Sequence, residues 1–326
     1  MQGDETFNQL IEYFSSELRN SLREIPDIYK NDIEEVRLRI NSPLNISFSN
    51  NDYFIKDNGK LSHNPKDGLL VNRDQIDRTF QLITNYSIYS LEDEIKNGFI
   101  TLKGGHRVGI GGKVIFGDKG IEGIKNISSL NFRIAREKIG IAEDLMYYLV
   151  NYEGDFNNTL IVSPPQCGKT TLLRDIVRSL SDNRGFKIGL IDERSEIAGV
   201  YNGIPQKSVG IRTDILDSCH KSLGIIMLVR SMSPEIIAVD EIGSKEDVIS
   251  IQEALRAGIK LIATIHGYSI EDIRNRGSMN QLFSDKVFKR YIVLDNSLGV
   301  GTVKEIIEGE KYKNLIKEKR KLNAVS

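Results

Sequence analysis

The feature that most constrains the fold is an apolar run, a short loop and a helical pattern that follow one another over residues 159–177. The run 159–162 indicates a buried strand, and residues 171–177 repeat apolar side chains at helical spacing. Gly-Lys-Thr at residues 168–170 stands where the helix would begin. The first turn of a helix offers free N–H groups and a positive dipole end to anions. The order therefore predicts a phosphate-binding loop inside an α/β domain.

This loop predicts binding of a nucleoside triphosphate. Lys169 would reach the β- and γ-phosphates, and the Thr170 hydroxyl would ligate Mg²⁺. Ser163 stands where the motif has its first glycine and two prolines follow it, so an ordinary strand-to-helix turn is the alternative interpretation. The residues that we assign to the nucleotide are Ser163, Pro164, Pro165, Gln166, Cys167, Gly168, Lys169, Thr170 and Thr171.

Three later apolar runs each end in polar residues. The residues that close them are, in chain order, Asp192 with Glu193, Asp240 with Glu241, and Thr264 with His266. Carboxyl ends of strands face the ligand crevice of an α/β sheet, so these side chains should converge near the phosphate loop. Acidic strand ends also serve as helix caps, and a lone histidine is more often structural, but the repeated position favours a common site.

The Asp240-Glu241 pair has the form of a Walker B strand end. We expect Asp240 to hold Mg²⁺ through water and Glu241 to orient or deprotonate the attacking water. Thr264 and His266 would sense the γ-phosphate. With ATP and Mg²⁺ as cofactors, the predicted reaction is ATP hydrolysis.

The order of these motifs resembles the secretion ATPase superfamily of type II and type IV secretion and pilus motors. Its Asp box, Walker B strand and His box are matched by residues 192–196, 239–243 and 263–267. The resemblance is closest to the members that act in endospore formation. It is dense over 163–175, 192–198, 209–214 and 230–235, and weaker over 35–39, 104–109 and 131–136.

The resemblance implies a RecA-like P-loop ATPase domain that assembles as a homo-oligomeric ring, a hexamer. It implies a cytoplasmic motor in the mother cell that acts on the channel to the forespore, with the membrane-embedded channel components as partners. Glu193 and Glu241 would position water, and His266 would communicate the state of the γ-phosphate. Pilus motors often carry glycine at the position of Asp240, so Asp192 and Asp240 are both candidates for Mg²⁺ positioning.

Arginines are further candidates, because ring ATPases commonly insert a cation to neutralise charge on the γ-phosphate. Arg133 and Arg136 lie in a strand-like segment and are our candidate arginine fingers. Arg107, Arg212 and Arg230 are alternatives. For any one of them a surface ion pair is the competing explanation.

Composition fits a cytoplasmic motor of about two domains. The 326 residues carry 44 Lys and Arg against 45 Asp and Glu, so no basic excess points to nucleic acid. Cys167 and Cys219 are the only cysteines, which excludes a disulfide framework. No apolar run approaches the ~20 residues that a membrane helix needs, and the amino terminus lacks a signal-peptide pattern.

We predict an α/β protein with three regions. Residues 1–152 form a smaller mixed α+β amino-terminal domain that serves partners or the ring interface, 153–310 the RecA-like domain, and 311–326 a basic carboxyl tail. In the amino-terminal domain we expect helices over 6–33 and 75–89, strands over 34–54, and hairpins over 98–123. We interpret the glycine pairs 104–105 and 111–112 as hairpin turns. The apolar face of the first helices should pack in the core.

Two other functions remain open from the sequence. One is a RecA-like nucleic-acid motor, although the segments after the Walker B and His boxes are mixed in charge. The other is an assembly scaffold that binds ATP and hydrolyses little of it.

Overall fold

The computed structural model describes residues 2–48, 51–86, 91–117 and 120–317. The chain divides into two compact units. The first unit comprises residues 1–136 and 201–206, and the second unit comprises 137–200 and 207–326. The division thus falls at 136/137, whereas the sequence predicted the boundary between the two domains at 152/153.

The first unit is built on an antiparallel sheet. Its elements are α1 (Gln2–Leu10), α2 (Ser16–Arg23), α3 (Asp27–Lys30), β1 (Glu35–Arg39), β2 (Ser42–Pro43), β3 (Asn45–Phe48), β4 (Asn51–Ile55), β5 (Leu61–Ser62), β6 (Leu70–Val71), α4 (Arg73–Ile83), α5 (Glu92–Lys96), β7 (Phe99–Thr101), β8 (Arg107–Gly117) and β9 (Gly120–Arg133). The strand order is β5-β4-β3-β1-β9-β8-β7, and β2 pairs with β6.

The core of the first unit lies where the first helices meet this sheet. Phe7, Leu10, Ile11, Phe14 and Leu18 are all buried, which confirms the predicted packing of their common face. Phe14 stacks on Phe132 of β9, with ring centroids 4.1 Å apart. The apolar side chains of the helices and of β9 therefore share one core.

The predictions for the glycine-rich hairpins were partly right. Gly104 and Gly105 have positive φ in the turn between β7 and β8, as expected. Gly111 and Gly112 do not form a turn, because they lie inside β8 at a shift in its register with β9. A Cβ at Gly112 would lie 2.8 Å from the Lys125 carbonyl oxygen, so close strand approach explains that glycine.

Two element boundaries differ from expectation. The helix predicted over 75–89 ends at Ile83, and residues 87–90 fall outside the described chain. The strand predicted to carry both arginines ends at Arg133. Arg136 follows in a stretch without regular structure.

The second unit alternates strands and helices. Its elements are α6 (Met146–Leu149), β10 (Thr159–Ser163), α7 (Lys169–Arg184), β11 (Ile188–Asp192), β12 (Thr213–Asp217), α8 (Lys221–Ser231), β13 (Ile236–Val239), α9 (Lys245–Arg256), β14 (Lys260–His266), α10 (Ile270–Arg274), α11 (Asn280–Ser284), β15 (Arg290–Asp295) and β16 (Thr302–Glu308). The strand order is β12-β11-β13-β14-β10-β15-β16.

This sheet is parallel except for β16, which runs antiparallel at one edge. Successive side chains of a strand point to opposite faces. Ile161 accordingly belongs to one core cluster, and Leu160 and Val162 belong to the other. Because the sheet is covered on both faces, its strands appear in the sequence as continuous apolar runs. The predicted α/β class is confirmed.

The order of the strands determines which of them meet at the site. β14 lies between β10, which leads into the phosphate loop, and β13, which ends before Asp240. The three parallel strands end at one edge of the sheet, so their terminal residues come together.

Within the described residues, no helix combines the length and apolar character needed to cross a bilayer. Of the predicted basic tail, residues 318–326 lie outside the described chain.

Candidate functional site

The predicted phosphate loop connects β10 to α7. Gln166 and Gly168 have left-handed backbones, with φ of 61° and 83°, and Gly168 is the N-cap residue of α7. Backbone turns of this kind can direct N–H groups into an anion-binding concavity. Lys169 begins the helix, as the Gly-Lys-Thr motif predicted.

The amino half of the loop explains the absence of the motif's first glycine. Ser163 is buried at the end of β10, and its hydroxyl donates to the Pro164 carbonyl oxygen at 2.8 Å. Cys167 is also buried. Serine is small enough to fit at this strand end, and its hydroxyl finds a hydrogen-bond acceptor in the next residue.

Asp240 is the centre of the polar network at the strand ends. Its carboxylate lies 3.2 Å from Lys169 Nζ and accepts a hydrogen bond from Thr170 Oγ1 at 2.8 Å. The Thr264 hydroxyl also donates to it. The phosphate loop, the Walker B strand and the His-box strand are thus joined at one carboxylate.

The donor set of this network fits Mg²⁺ with a nucleotide. Mg²⁺ prefers oxygen ligands and often takes only one or two from the protein when phosphates supply others. The Thr170 hydroxyl and the Asp240 carboxylate are adjacent oxygens, and Lys169 places a cation beside them. These groups are therefore suited to a metal bound together with a phosphate chain.

Glu241 lies beside Asp240 in an unusual backbone conformation. Its φ is 58°, and its N–H donates to Thr264 Oγ1 at 2.9 Å. Left-handed non-glycine residues cost energy and cluster at functional sites. The Glu241 carboxylate lies 3.2 Å from His266 Nε2 and 3.5 Å from Arg194 Nη1.

His266 contributes one ring nitrogen to that contact and leaves the other without a hydrogen bond to the described residues. Its Nδ1 is buried and has no partner among them. A histidine that is bound only through the carboxylate of Glu241 can change its partner when that carboxylate moves, which suits the predicted sensing role.

Asp192 and Glu193 are adjacent in sequence but play different structural parts. The Asp192 carboxylate accepts backbone hydrogen bonds from Glu196, Ile197 and Ala198, at 2.9, 3.0 and 2.8 Å. Burial raises the Asp192 pKa, and these hydrogen bonds oppose the rise. Both oxygens of Asp192 are committed to the following turn, so Asp240 is the better-placed metal ligand of the two candidates.

Glu193 faces a cavity that Asp240 and Glu241 also line. Its carboxylate lies 2.8 Å from His220 Nδ1 and is paired with the Lys221 ammonium. Burial acts to raise the Glu193 pKa, but hydrogen bonds from Lys221 and His220 outweigh it, so the pKa is lowered. Glu193 therefore stays ionised and is suited to orienting groups rather than to taking protons.

Sequence reasoning missed the residues that hold the turn after Glu193. Arg174 of α7 donates to the carbonyl oxygens of Glu196 and Ile197, and Lys207 Nζ donates to the Glu196 oxygen at 3.1 Å. Arg174 lies one helical turn after Thr170, a spacing that could have indicated a shared face. His220, Lys221 and Lys207 gave no comparable signal, because their positions depend on strand pairing.

The two candidate arginine fingers have partners in the first unit. Arg133 is exposed, and its Nε lies 3.3 Å from Glu35 Oε1 on the neighbouring strand. Arg136 donates to the Ile33 carbonyl oxygen at 2.7 Å. Their action on a nucleotide remains a prediction.

A largely parallel sheet with a phosphate loop and converging polar strand ends defines the RecA-like P-loop ATPase fold, as found in secretion motors. The Legionella pneumophila ATPase DotB is similar in structure, with a TM-score of 0.52 and 13% identity, over 80% of this chain and 72% of DotB. The pilus retraction motor PilT, solved with bound ADP, gives a TM-score of 0.50 and 13% identity over 80% of this chain and 74% of PilT.

Sequence comparison identifies the family within that class. The profile of the family "Sporulation stage III, protein AA" matches residues 4–314, and this chain belongs to that family. Stage III sporulation protein AA of Bacillus subtilis (strain 168) is 43% identical over 305 residues, which are 92% of this chain and 95% of the relative. The closer resemblance noted from the motifs is thus confirmed.

Proposed function

We propose that this protein is a Mg²⁺-dependent ATPase that drives assembly or operation of the channel between mother cell and forespore. The observation that carries the proposal is the Asp240 carboxylate just after β13, which contacts Lys169 and Thr170 at the start of α7 and Thr264 of β14. The sporulation family and the ATPase fold support it. The PilT structure, which holds ADP, supports nucleotide binding by this fold.

Lys169 and Thr170 would bind the phosphate chain. Phosphate oxygens compete with Asp240 for the Lys169 ammonium, while backbone N–H groups of the loop and of the first turn of α7 offer further donors. The Thr170 hydroxyl and the Asp240 carboxylate would hold Mg²⁺, whose positive charge would stabilise the negative charge of the phosphates. Asp192 would act indirectly, by fixing the turn that follows Glu193.

Glu241 would orient the attacking water, with Glu193 as a second carboxylate in the same cavity. The N–H of Glu241 is anchored on Thr264, and its carboxylate contacts His266. A shift of Glu241 toward water would change the hydrogen bonding of His266, so the γ-phosphate state would be passed to the segment after β14. Arg133 or Arg136 would act as an arginine finger.

We further propose that the protein works in the cytoplasm of the mother cell as a homo-oligomeric ring, a hexamer. The similarity of its fold to the DotB and PilT ATPases and its membership of a sporulation family support this assignment. Membrane-embedded channel components would be its partners, and nucleic acid would not.

The test is Mg²⁺-dependent ATP hydrolysis by the purified full chain, measured together with its oligomeric mass. Lys169→Ala should abolish nucleotide binding, and Glu241→Gln should bind ATP but lose turnover. Lys260→Ala, an exposed lysine at the opposite end of β14, serves as the matched control and should behave as wild type.

The outcomes separate the candidate functions. Turnover that depends on Lys169 and ignores single-stranded DNA supports the secretion-type motor, whereas stimulation by DNA supports a nucleic-acid motor. Binding without turnover, with sporulation restored by Glu241→Gln in a host, supports a scaffold. Hydrolysis that persists in Lys169→Ala would contradict the assignment of the site.

A further inference from the structure

We propose that the turn at residues 296–301, between β15 and β16, is the subsite that binds the nucleoside part of the nucleotide. Apolar side chains on this turn would cover one face of the base. The inference rests on the proposed nucleotide binding and adds to it the residues that distinguish a nucleotide from a bare phosphate chain.

The direction of the phosphate chain places the nucleoside near this turn. β10 leads into the phosphate loop, and its neighbours in the sheet are β14 on one side and β15 on the other. The groups suited to the γ-phosphate, Asp240, Glu241 and His266, lie on the β13 and β14 side. A triphosphate with its γ end on that side and its β-phosphate in the loop directs its nucleoside toward β15 and β16.

The turn is in direct contact with the phosphate loop. A Cβ at Gly168 would lie 3.3 Å from both Gly301 Cα and Val300 Cγ1. The 296–301 turn therefore packs against the backbone of the loop at the residue before Lys169. A nucleoside leaving the loop on this side meets the turn.

The turn presents apolar side chains to solvent. Leu298 is 90% exposed and Val300 is 63% exposed. Two exposed apolar side chains beside a polar phosphate site match a nucleotide, whose base has apolar faces and whose phosphates are charged. The occupant that fits both properties is a nucleoside phosphate.

The turn is held in place by its own hydrogen bonds. Ser297 donates to Asp295 Oδ1 through its N–H at 3.2 Å and its hydroxyl at 2.9 Å. Thr302 Oγ1 donates to the Gly299 carbonyl oxygen at 2.7 Å. Gly299 and Gly301 have φ of 110° and 90°, which glycine adopts without strain. A turn arranged before binding loses little conformational entropy when the base arrives.

The experiment compares two ligands by isothermal titration calorimetry on the full chain with Mg²⁺. ATP carries the nucleoside, and inorganic tripolyphosphate carries only the phosphate chain. The double variant Leu298→Ala with Val300→Ala should raise the Kd for ATP roughly tenfold and leave the Kd for tripolyphosphate within about twofold. Leu298→Met with native Val300 should retain most of the ATP affinity.

The control variant is Ile211→Ala. Ile211 is 86% exposed, and it precedes β12 at the amino ends of the strands, away from the phosphate loop. Its ATP and tripolyphosphate affinities should both match wild type. This comparison separates loss of a base contact from a general effect of removing an exposed aliphatic side chain.

Unchanged ATP affinity in the double variant, or equal loss for both ligands, would overturn the inference. If wild type binds ATP through Lys169 but the double variant is unaffected, the inference fails and the proposed function stands. If wild type binds neither ligand, both fail.

Discussion

Asp240 shows how one residue can join three segments of the chain. A carboxylate can accept several hydrogen bonds, and here it accepts them from Lys169, Thr170 and Thr264. Thr264 also accepts the N–H of Glu241, so a single buried hydroxyl fixes both acidic residues of the Walker B pair. Asp240 and Glu241 were predicted as site residues because they follow the end of a strand. The position of the Thr264 hydroxyl between them was not predictable from the sequence.

Thr264→Val should lower the proposed ATP turnover by roughly 10- to 100-fold, the usual effect of removing a hydrogen-bond partner of a metal-binding side chain. Valine keeps the shape of threonine but cannot donate to Asp240 or accept from Glu241. Steady-state kinetics and an ATP-binding titration should show a loss in kcat that exceeds any change in Kd. Thr264→Ser keeps the hydroxyl and should retain most activity, and equal losses in both variants would argue against this role.

Lys207 gives a pH-dependent prediction. Burial is the largest cause that lowers its pKa, from 10.5 to about 8, and the nearby Arg174 adds to the effect. The unfolded chain therefore binds more protons than the folded one between pH 8 and 10.5, so the contribution of Lys207 to stability rises with pH there. Between pH 7.5 and 9.5, wild type should gain about 1 to 2 kcal/mol in unfolding free energy relative to Lys207→Met.

Urea unfolding of both proteins at the two pH values tests this. The comparison with Lys207→Met cancels the contribution of every ionisable group that the two proteins share. Parallel stability curves for the two proteins would show that the Lys207 ammonium is not destabilised in the fold.

At the scale of elements, α7 also stabilises a part of the second unit that lies outside the phosphate loop. Asp175 of α7 is buried and accepts the N–H groups of Gly140 and Ala142, at 3.1 and 2.8 Å. Ala142, Leu145 and Leu149 belong to the same core cluster as the apolar face of α7. These contacts explain why the second unit begins at residue 137, ahead of the domain boundary at 152/153 that the sequence suggested.

Asp175→Ala should reduce the unfolding free energy by about 3 to 5 kcal/mol, because it leaves two N–H groups and Arg178 without their carboxylate. Asp182→Ala, on the same helix, is the matched control. Asp182 is exposed and accepts one hydrogen bond from the Ile211 N–H, so its loss should cost less than about 1 kcal/mol. Chemical denaturation measures both, and a loss for Asp175→Ala no larger than the control would refute this assignment.

The elements that the sequence predicted best are those with strong periodicity or a buried apolar run. The strand at 159–163 and the helix after it were predicted because their patterns do not depend on distant partners. The Gly111-Gly112 pair was misassigned, because a bulge within paired strands and a turn can use the same residues. Arg136 fell beyond the end of β9 for a similar reason, since pairing decides where a strand ends.

At the scale of the whole molecule, the two units have separate hydrophobic cores. One cluster contains Phe132 and the first helices, and two clusters cover the faces of the parallel sheet. The predicted nucleotide site lies within the second unit, so binding should protect that unit locally. Turnover, ring formation and stimulation by DNA are likewise measured on the whole chain.

Saturating Mg²⁺-ATP should slow backbone hydrogen exchange around the phosphate loop and at the ends of β13 and β14. At 100 times the Kd, a bound ligand adds about 2.7 kcal/mol to the stability of the segments that must open for its release. Exchange over β4 in the first unit should not change. Mass spectrometry of peptic fragments measures both, and added protection at 131–136 would support the arginine-finger proposal.

The sequence by itself determined the alternation of strand and helix, the phosphate loop, and the acidic and His-box residues at strand ends, because these depend on local spacing and side-chain chemistry. The tertiary structure decided which strand ends meet, that Asp240 joins three segments, that Asp192 binds its own turn, and that residues 296–301 contact Gly168. These depend on the order of strands in the sheet. That order is a property of long-range packing, which local patterns do not encode.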